Sequence, residues 1–194
     1  MQSMLLAHVR SGLEKRPMRL ILDALVRDDA VALTRLWEND HCSMQTLMLD
    51  AVRHRAKGCI DAIMATGTCS INTLVCSAKW AGKRNALIMA LCNDDGEMAR
   101  WLYTRHEARC HNPIDASTWG QARKMLQVMI INDCSTSVRF LLGHRVPGEP
   151  RLDCQLALVT AARYRHAIGF IPLLLQAKAE INKSPHETLS AALF

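Results

Sequence analysis

Aromatic residues are scarce in this chain. Its 194 residues hold 3 Phe, 2 Tyr and 4 Trp, 5% in all, although 49% of the chain is hydrophobic. The core must therefore be built from Leu, Ala, Ile, Val and Met, which is helical chemistry, since strands favour aromatic and β-branched side chains. Long apolar runs are also missing: nothing approaches the roughly 18 residues that a membrane-crossing helix needs. The opening MQSMLLAHVR is too short in its apolar patch for a signal peptide and has no small-residue cleavage site. A cytoplasmic protein with no membrane partner is the expectation. The eight cysteines form no CxxC pair, and His41-Cys42 and Cys110-His111 lack the spacing of metal ligands. Free thiols packing as small apolar residues are expected, with no metal and no cofactor. Phosphate-binding glycine loops, GxSxG and HExxH are absent as well. The adjacent carboxylates Asp94 and Asp95 would point apart on a helix or cap a turn, so no catalytic constellation is in view and the chain is not expected to be an enzyme.

What the chain does have is a formal charge of +6 and a pI near 9.0, which suits an acidic partner or a nucleic acid. It also has internal order. A small residue recurs late in a first apolar helix at Ala24, Ala51, Ala90 and Ala161, with Met129 taking that position in the fourth. The steps are 27, 39, 39 and 32 residues, averaging about 34. The first helices read RLILDAL (19–25), TLMLDAV (46–52), NALIMAL (85–91) and KMLQVMI (124–130), and the fifth lies in CQLALVTAAR. Each is followed by a turn and a second apolar helix: Val31–Trp37, Gly58–Met64, Glu97–Leu102, Ser137–Leu142, and one through Ile171, Leu174 and Leu175. The small residue would let neighbouring helices approach closely, and each pair would bury its remaining apolar surface against the next. Trp37 falls in a second helix as core, whereas Trp101 would be partly exposed.

The unit Cys154–Asn182 resembles an ankyrin repeat: helix, turn, a helix carrying Leu174-Leu175, small residues Ala177 and Ala179, then Ile181-Asn182. Gly67 and Ile71-Asn72 repeat that terminator after the second unit. The family's Thr-Pro-Leu-His opening is absent, so the likeness rests on spacing and residue class. The resemblance implies an all-α ankyrin-like solenoid of about five helix-turn-helix repeats, at 17–44, 45–79, 80–119, 120–152 and 153–183. Residues 1–16 would carry an N-terminal capping helix (4–13), and 184–194 a C-terminal half-repeat. A tetratricopeptide array or an irregular helical bundle would be the rival arrangements.

The resemblance further implies a non-catalytic module that binds another protein, an acidic one given the charge, through the concave face and loop fingers. It places such a module among targeting domains of bacterial or viral effectors, which would be delivered into a host cytosol, or among inhibitor proteins. The two 39-residue steps carry about six extra residues each, containing Lys79-Trp80-Ala81-Gly82-Lys83-Arg84 and Thr118-Trp119-Gly120-Gln121-Ala122-Arg123-Lys124. Both place a Trp five residues ahead of a first helix and two cations just before it. Trp and Arg dominate binding energy at interfaces, so Trp80, Lys83, Arg84, Trp119, Arg123 and Lys124 are candidate partner-binding residues. Arg53, His54 and Arg55, and Arg163, Tyr164 and Arg165, join them from the turn ends of the second and fifth first helices. The turn ends between them, Arg27-Asp28, Asn93-Asp94-Asp95 and Asn132-Asp133, alternate in charge, as suits one folded partner more than a uniform phosphate track. The alternatives are a nucleic-acid-binding helical repeat, in which the Trp fingers stack on bases, and a cysteine-dependent enzyme with a dyad assembled from distant residues.

Overall fold

The computed structural model describes residues 18–37, 43–76, 83–110, 119–144 and 152–177, and these are predominantly helical. The expected capping helix at 4–13, the terminator at 181–182 and the half-repeat at 184–194 lie outside them. Residues 18–26 form α1, followed by α2 (Ala30–Trp37), α3 (Met44–Arg53) and α4 (Lys57–Ala65). Then come α5 (Ala86–Cys92), α6 (Gly96–His106), α7 (Trp119–Ile131), α8 (Ser135–Gly143), α9 (Cys154–Arg163) and α10 (Ile171–Gln176). The helices are consecutive pairs, and like packs on like: α3 on α5 and α7 on α9, α2 on α4 and α6 on α8. The recurring positions Ala51, Ala90, Met129 and Ala161 are all fully buried in one continuous aliphatic core, with Leu33, Ile60, Leu91, Leu102, Leu126 and Leu174. Burying each large aliphatic side chain contributes about 1.5–3 kcal/mol. Trp37 and Trp101 are half-buried against that core.

A single turn geometry joins the first four pairs. The carbonyls of Ala24, Ala51, Ala90 and Met129 accept from the amides of Asp29, Ala56, Asp95 and Cys134, at 2.9, 3.0, 3.0 and 2.9 Å. One residue earlier, Asp28, Arg55, Asp94 and Asp133 have φ of 53°, 58°, 52° and 55°. Their amides bond to Leu25, Val52, Leu91 and Ile130. This is the Schellman closure, in which a left-handed residue after the helix satisfies its last carbonyls. Glycine usually holds that position; here a side chain does, at about 1 kcal/mol each. Asp, which tolerates the conformation better than most residues, occupies three of the four.

The fifth pair departs from the expected helix-turn-helix. A 3-10 helix, Arg165–Phe170, replaces the tight turn at Arg163–His166, and α10 begins only at Ile171. Pro172 is the cause. It has no N–H to give an interior helical bond, so it is accommodated only in the first turn of a helix, which fixes where α10 can start.

Two expectations are corrected by the segments ahead of α5 and α7. Val75–Cys76 and Lys83–Arg84 pair as an antiparallel ladder, Val75 opposite Arg84 and Cys76 opposite Lys83. Lys83 and Arg84 are therefore in a strand, not in an open loop. Trp119, expected in a polar loop, opens α7, and Arg123 and Lys124 lie inside that helix. Helix formers Gln121, Ala122, Arg123 and Lys124 carry it back to Trp119 with no Pro and no cap to stop it. Helix α6 likewise runs past the expected Leu102 to His106.

Candidate functional site

The turns hold most of the charge that the sequence offered as a binding face, and the structure spends much of it internally. Asp28 Oδ2 and Oδ1 accept from the amides of Gly58 and Cys59, at 3.0 and 2.9 Å, opening α4 of the next pair. Asp94 Oδ1 accepts from the amide of Ser137 in α8 at 2.8 Å. These two left-handed aspartates thus satisfy amides that the next pair's second helix leaves open in its first turn. Arg55 replaces the acid in the second unit and reaches the neighbouring cap differently, with Nε 2.6 Å from Asp95 Oδ2. Asp95 is buried and caps α6 through Met98. Asp94 and Asp95 therefore point apart and cap two different helices, as their adjacency suggests. Beside these clamps the packing is close: a Cβ on Gly96 would come within 2.3 Å of Thr136 Cγ2.

Buried thiols sit in the same frame. Burial, reinforced by Asp28, pushes Cys59 up to about 12, and burial with Asp94 pushes Cys134 up to about 11. Cys69 and Cys92 are also raised by burial, the Arg84 charge countering part of the effect on Cys92. None of the described cysteines 59, 69, 92, 110, 134 and 154 is in a disulfide. The second helices α4 and α6 are linked by Lys57–Glu97 at 3.0 Å and by Asp61 Oδ1, 2.9 Å from His106 Nε2. Burial holds His106 below the ordinary imidazole range despite the opposing pull of Asp61. Trp101 meets His106 edge-on at 4.9 Å and lies 5.8 Å from the Lys57 ammonium. Just past the C-terminal end of α6, the Arg109 carbonyl accepts at 2.7 Å from Asn85, which is buried and caps α5. The Arg109 amide in turn donates to Asn72 at 2.6 Å.

One groove stands apart from this internal economy. It runs between α7 and α9, has a volume of about 260 Å³, and is lined by Gln127, Ile131, Leu156, Val159, Thr160, Arg163 and Tyr164. Ile131 and Tyr164 are more than a third exposed, as is Val128 on the same face of α7. Positions 124, 127, 128 and 131 form one helical stripe, and 156, 159, 160 and 163 form the facing one. Met125, Leu126, Met129 and Ile130 take the core side of α7, which leaves Val128 and Ile131 as apolar residues in excess of what the core uses.

Of the residues singled out from the sequence, Arg163 and Tyr164 line this groove, Lys124 is exposed on the α7 stripe, and Arg165 is exposed just beyond α9. Arg53, His54 and Arg55 end α3, three pairs earlier in the chain, and do not join them. Arg84 is half-buried ahead of α5, and Lys83 belongs to the strand beside it. Trp80 and the side chains of Lys83, Trp119 and Arg123 lie outside the described residues. The sequence reading passed over Gln127, Val128 and Ile131; the two surplus apolar residues of KMLQVMII were the signal that marks them.

Among the described residues, no group of three or more His, Cys, Asp or Glu is placed to hold a metal ion, and no helix is long and apolar enough to cross a membrane. No family model matches the chain, and no curated protein matches it in sequence.

Proposed function

We propose that this chain is a non-catalytic protein-interaction module, built as an ankyrin-like array of helix pairs, that binds another protein along the exposed edge of its first helices. The observation that carries the reading is the groove between α7 and α9, where Ile131 and Tyr164 are left uncovered beside Arg163, with Val128 exposed on the same helix. Exposed apolar side chains gathered in a concavity, with Tyr and Arg among them, are the composition of an interface centre. The array reading is supported by four turns closed with the same hydrogen bonds and by the packing of first helices on first helices. Thiols raised well above neutrality at Cys59 and Cys134 argue against a cysteine nucleophile at those positions, because the thiolate is the reactive form. Stacking of paired Trp fingers on single-stranded nucleic acid loses support, since Trp119 opens a helix.

The test is capture of a partner by the wild-type chain and by Ile131→Glu/Tyr164→Ala. Both sites are exposed, so far-ultraviolet circular dichroism should be unchanged while capture is lost. Capture that survives the double substitution would place recognition elsewhere. Capture of random oligonucleotides that falls steeply with salt would replace the protein reading with a nucleic-acid one.

A further inference from the structure

The first helix pair, α1 and α2, leaves open to solvent positions that the later pairs keep covered. Because the first four turns close with the same hydrogen bond, residues at equal distances from that bond are equivalent along the chain. Leu20, Leu47, Ala86 and Met125 all stand four residues before the bonded carbonyl. Leu20 is 52% exposed, whereas the other three are 3% exposed or less. Two residues before that carbonyl, Leu22 is 44% exposed, while Leu49 and Ile88 in the next two pairs are buried. The second helices agree. Ala32 and Leu36 are half-buried in α2, where Cys59 and Ile63 in α4, and Met98 and Leu102 in α6, are fully buried. Among the described residues, pair one has a neighbouring pair on one side only, and the next three pairs have one on each side. The uncovered positions therefore face the side on which each later pair receives the pair before it. Val26 is exposed too but does not belong to this face, since Arg53 at the same offset in α3 is exposed as well.

On that side α1 and α2 form a groove of about 340 Å³ with Leu20, Ala24, Ala32 and Leu36 as its apolar lining. Two acids, Asp23 and Asp29, and two bases, Arg27 and Arg35, complete it. The groove has no net charge with which to select a phosphate or an acidic chain. What it lacks is apolar cover.

We infer that residues 4–13 of this same chain fill the groove as an amphipathic helix, in the place that the preceding pair takes for every later one. Leu5, Leu6, Val9 and Leu13 fall within an arc of about 100° on a helix, with His8 and Ser11 outside it. Ten residues make about 15 Å of helix, close to the length of α1. Pro17, just ahead of α1, disfavours one continuous helix through both segments. Residues 14–17 are a connection of the length that joins antiparallel helices. A tether this short holds the segment at an effective concentration on the order of millimolar, which favours it over a second copy of the chain. The inference does not depend on what the groove between α7 and α9 binds.

The experiment uses the full-length chain in two measurements. Leu20→Glu should lower the thermal midpoint by about 4–8 °C, because the segment would bury the new charge. Val9→Asp should do the same from the other side of the contact, and the two together should cost little more than either alone. Val26→Glu, outside the face, is the control and should move the midpoint far less. In the second measurement benzoylphenylalanine replaces Val9, and isotope-labelled and unlabelled copies are mixed and irradiated. The links formed should join position 9 to peptides from residues 18–37 of the same copy. A Leu20→Glu shift no larger than that of Val26→Glu would overturn the inference, since the face would then be open to water. Fully additive losses from Val9→Asp and Leu20→Glu would overturn it as well. Links between copies would assign the groove to a second copy of the chain, and links elsewhere or none would leave the segment off this face; each of these results also overturns it.

Discussion

In the first four helix pairs the chain passes from first helix to second through one hydrogen-bonded turn, and in the fifth it passes through a 3-10 helix. The consequence is carried by the left-handed residue. Asp28 and Asp94 sit in strained backbone and recover the cost by capping the next pair's second helix. Asp133 sits in the same strained backbone with φ 55°, but the pair after it offers a 3-10 helix starting at Arg165 instead of α-helical amides in register. The same residue type in the same turn is thus a clamp twice and an idle charge once. The junction without the clamp is also the junction with the groove, since α7 and α9 flank it.

Breaking a clamp should have the largest effect. Asp94→Ala removes the cap on Ser137 and places a side chain without a compensating bond in left-handed backbone, costing about 2–3 kcal/mol in chemical denaturation. Asp94→Asn should recover part of the loss. Closing the approach beside that clamp comes next. Gly96→Ala forces its Cβ against Thr136 Cγ2 and should cost about 1–2 kcal/mol. Thr136→Ser in the same chain should return most of it, because the offending methyl is gone. The idle residue should respond with the opposite sign: Asp133→Gly relieves the positive φ with no cap to lose and should stabilise by about 0.5–1 kcal/mol, whereas Asp28→Gly should destabilise. If both glycine substitutions moved stability in the same direction, the contrast between clamped and idle turns would collapse. Pro172→Ala should sharpen it from the other side, raising helical content by a few residues as α10 extends back into Arg165–Phe170.

The smallest effect expected is a pH dependence at the α4–α6 contact. His106 binds its proton less readily folded than unfolded, so its contribution is fully present above about pH 6.5 and is lost as pH falls through the window beneath that value. Denaturation midpoints should decline with acidification from pH 7 more steeply for the wild type than for His106→Gln. Asp61→Asn should steepen the decline, since Asp61 is the group that favours the imidazolium.

Much of this architecture is legible in the sequence, and the reasons are local. The buried residue at positions 24, 51, 90 and 129, Ala in three of them and Met in the fourth, marks every Schellman carbonyl. Adjacent polar residues after it, such as Asp28-Asp29 and Asp94-Asp95, mark where the chain reverses. Trp119 misled because a Trp-Gly pair ahead of two cations has the composition of a loop, yet nothing in Gln121–Lys124 stops a helix from extending back through it. The short ladder of Val75–Cys76 with Lys83–Arg84 escaped notice because two residues a strand carry no alternation to detect.

By itself the sequence determined that the chain is helical, how its helices pair, and that its core is aliphatic, since helix propensity, apolar period and turn chemistry act within a dozen residues. Only the tertiary structure decided which aspartate clamps and which stands idle. It also decided that Val128 and Ile131 remain uncovered, and that Arg163 and Tyr164 share a groove while Arg53 and Arg55 do not. Those outcomes depend on amides and side chains 30 to 45 positions away in the chain, at distances over which no pattern in the residues themselves fixes the register.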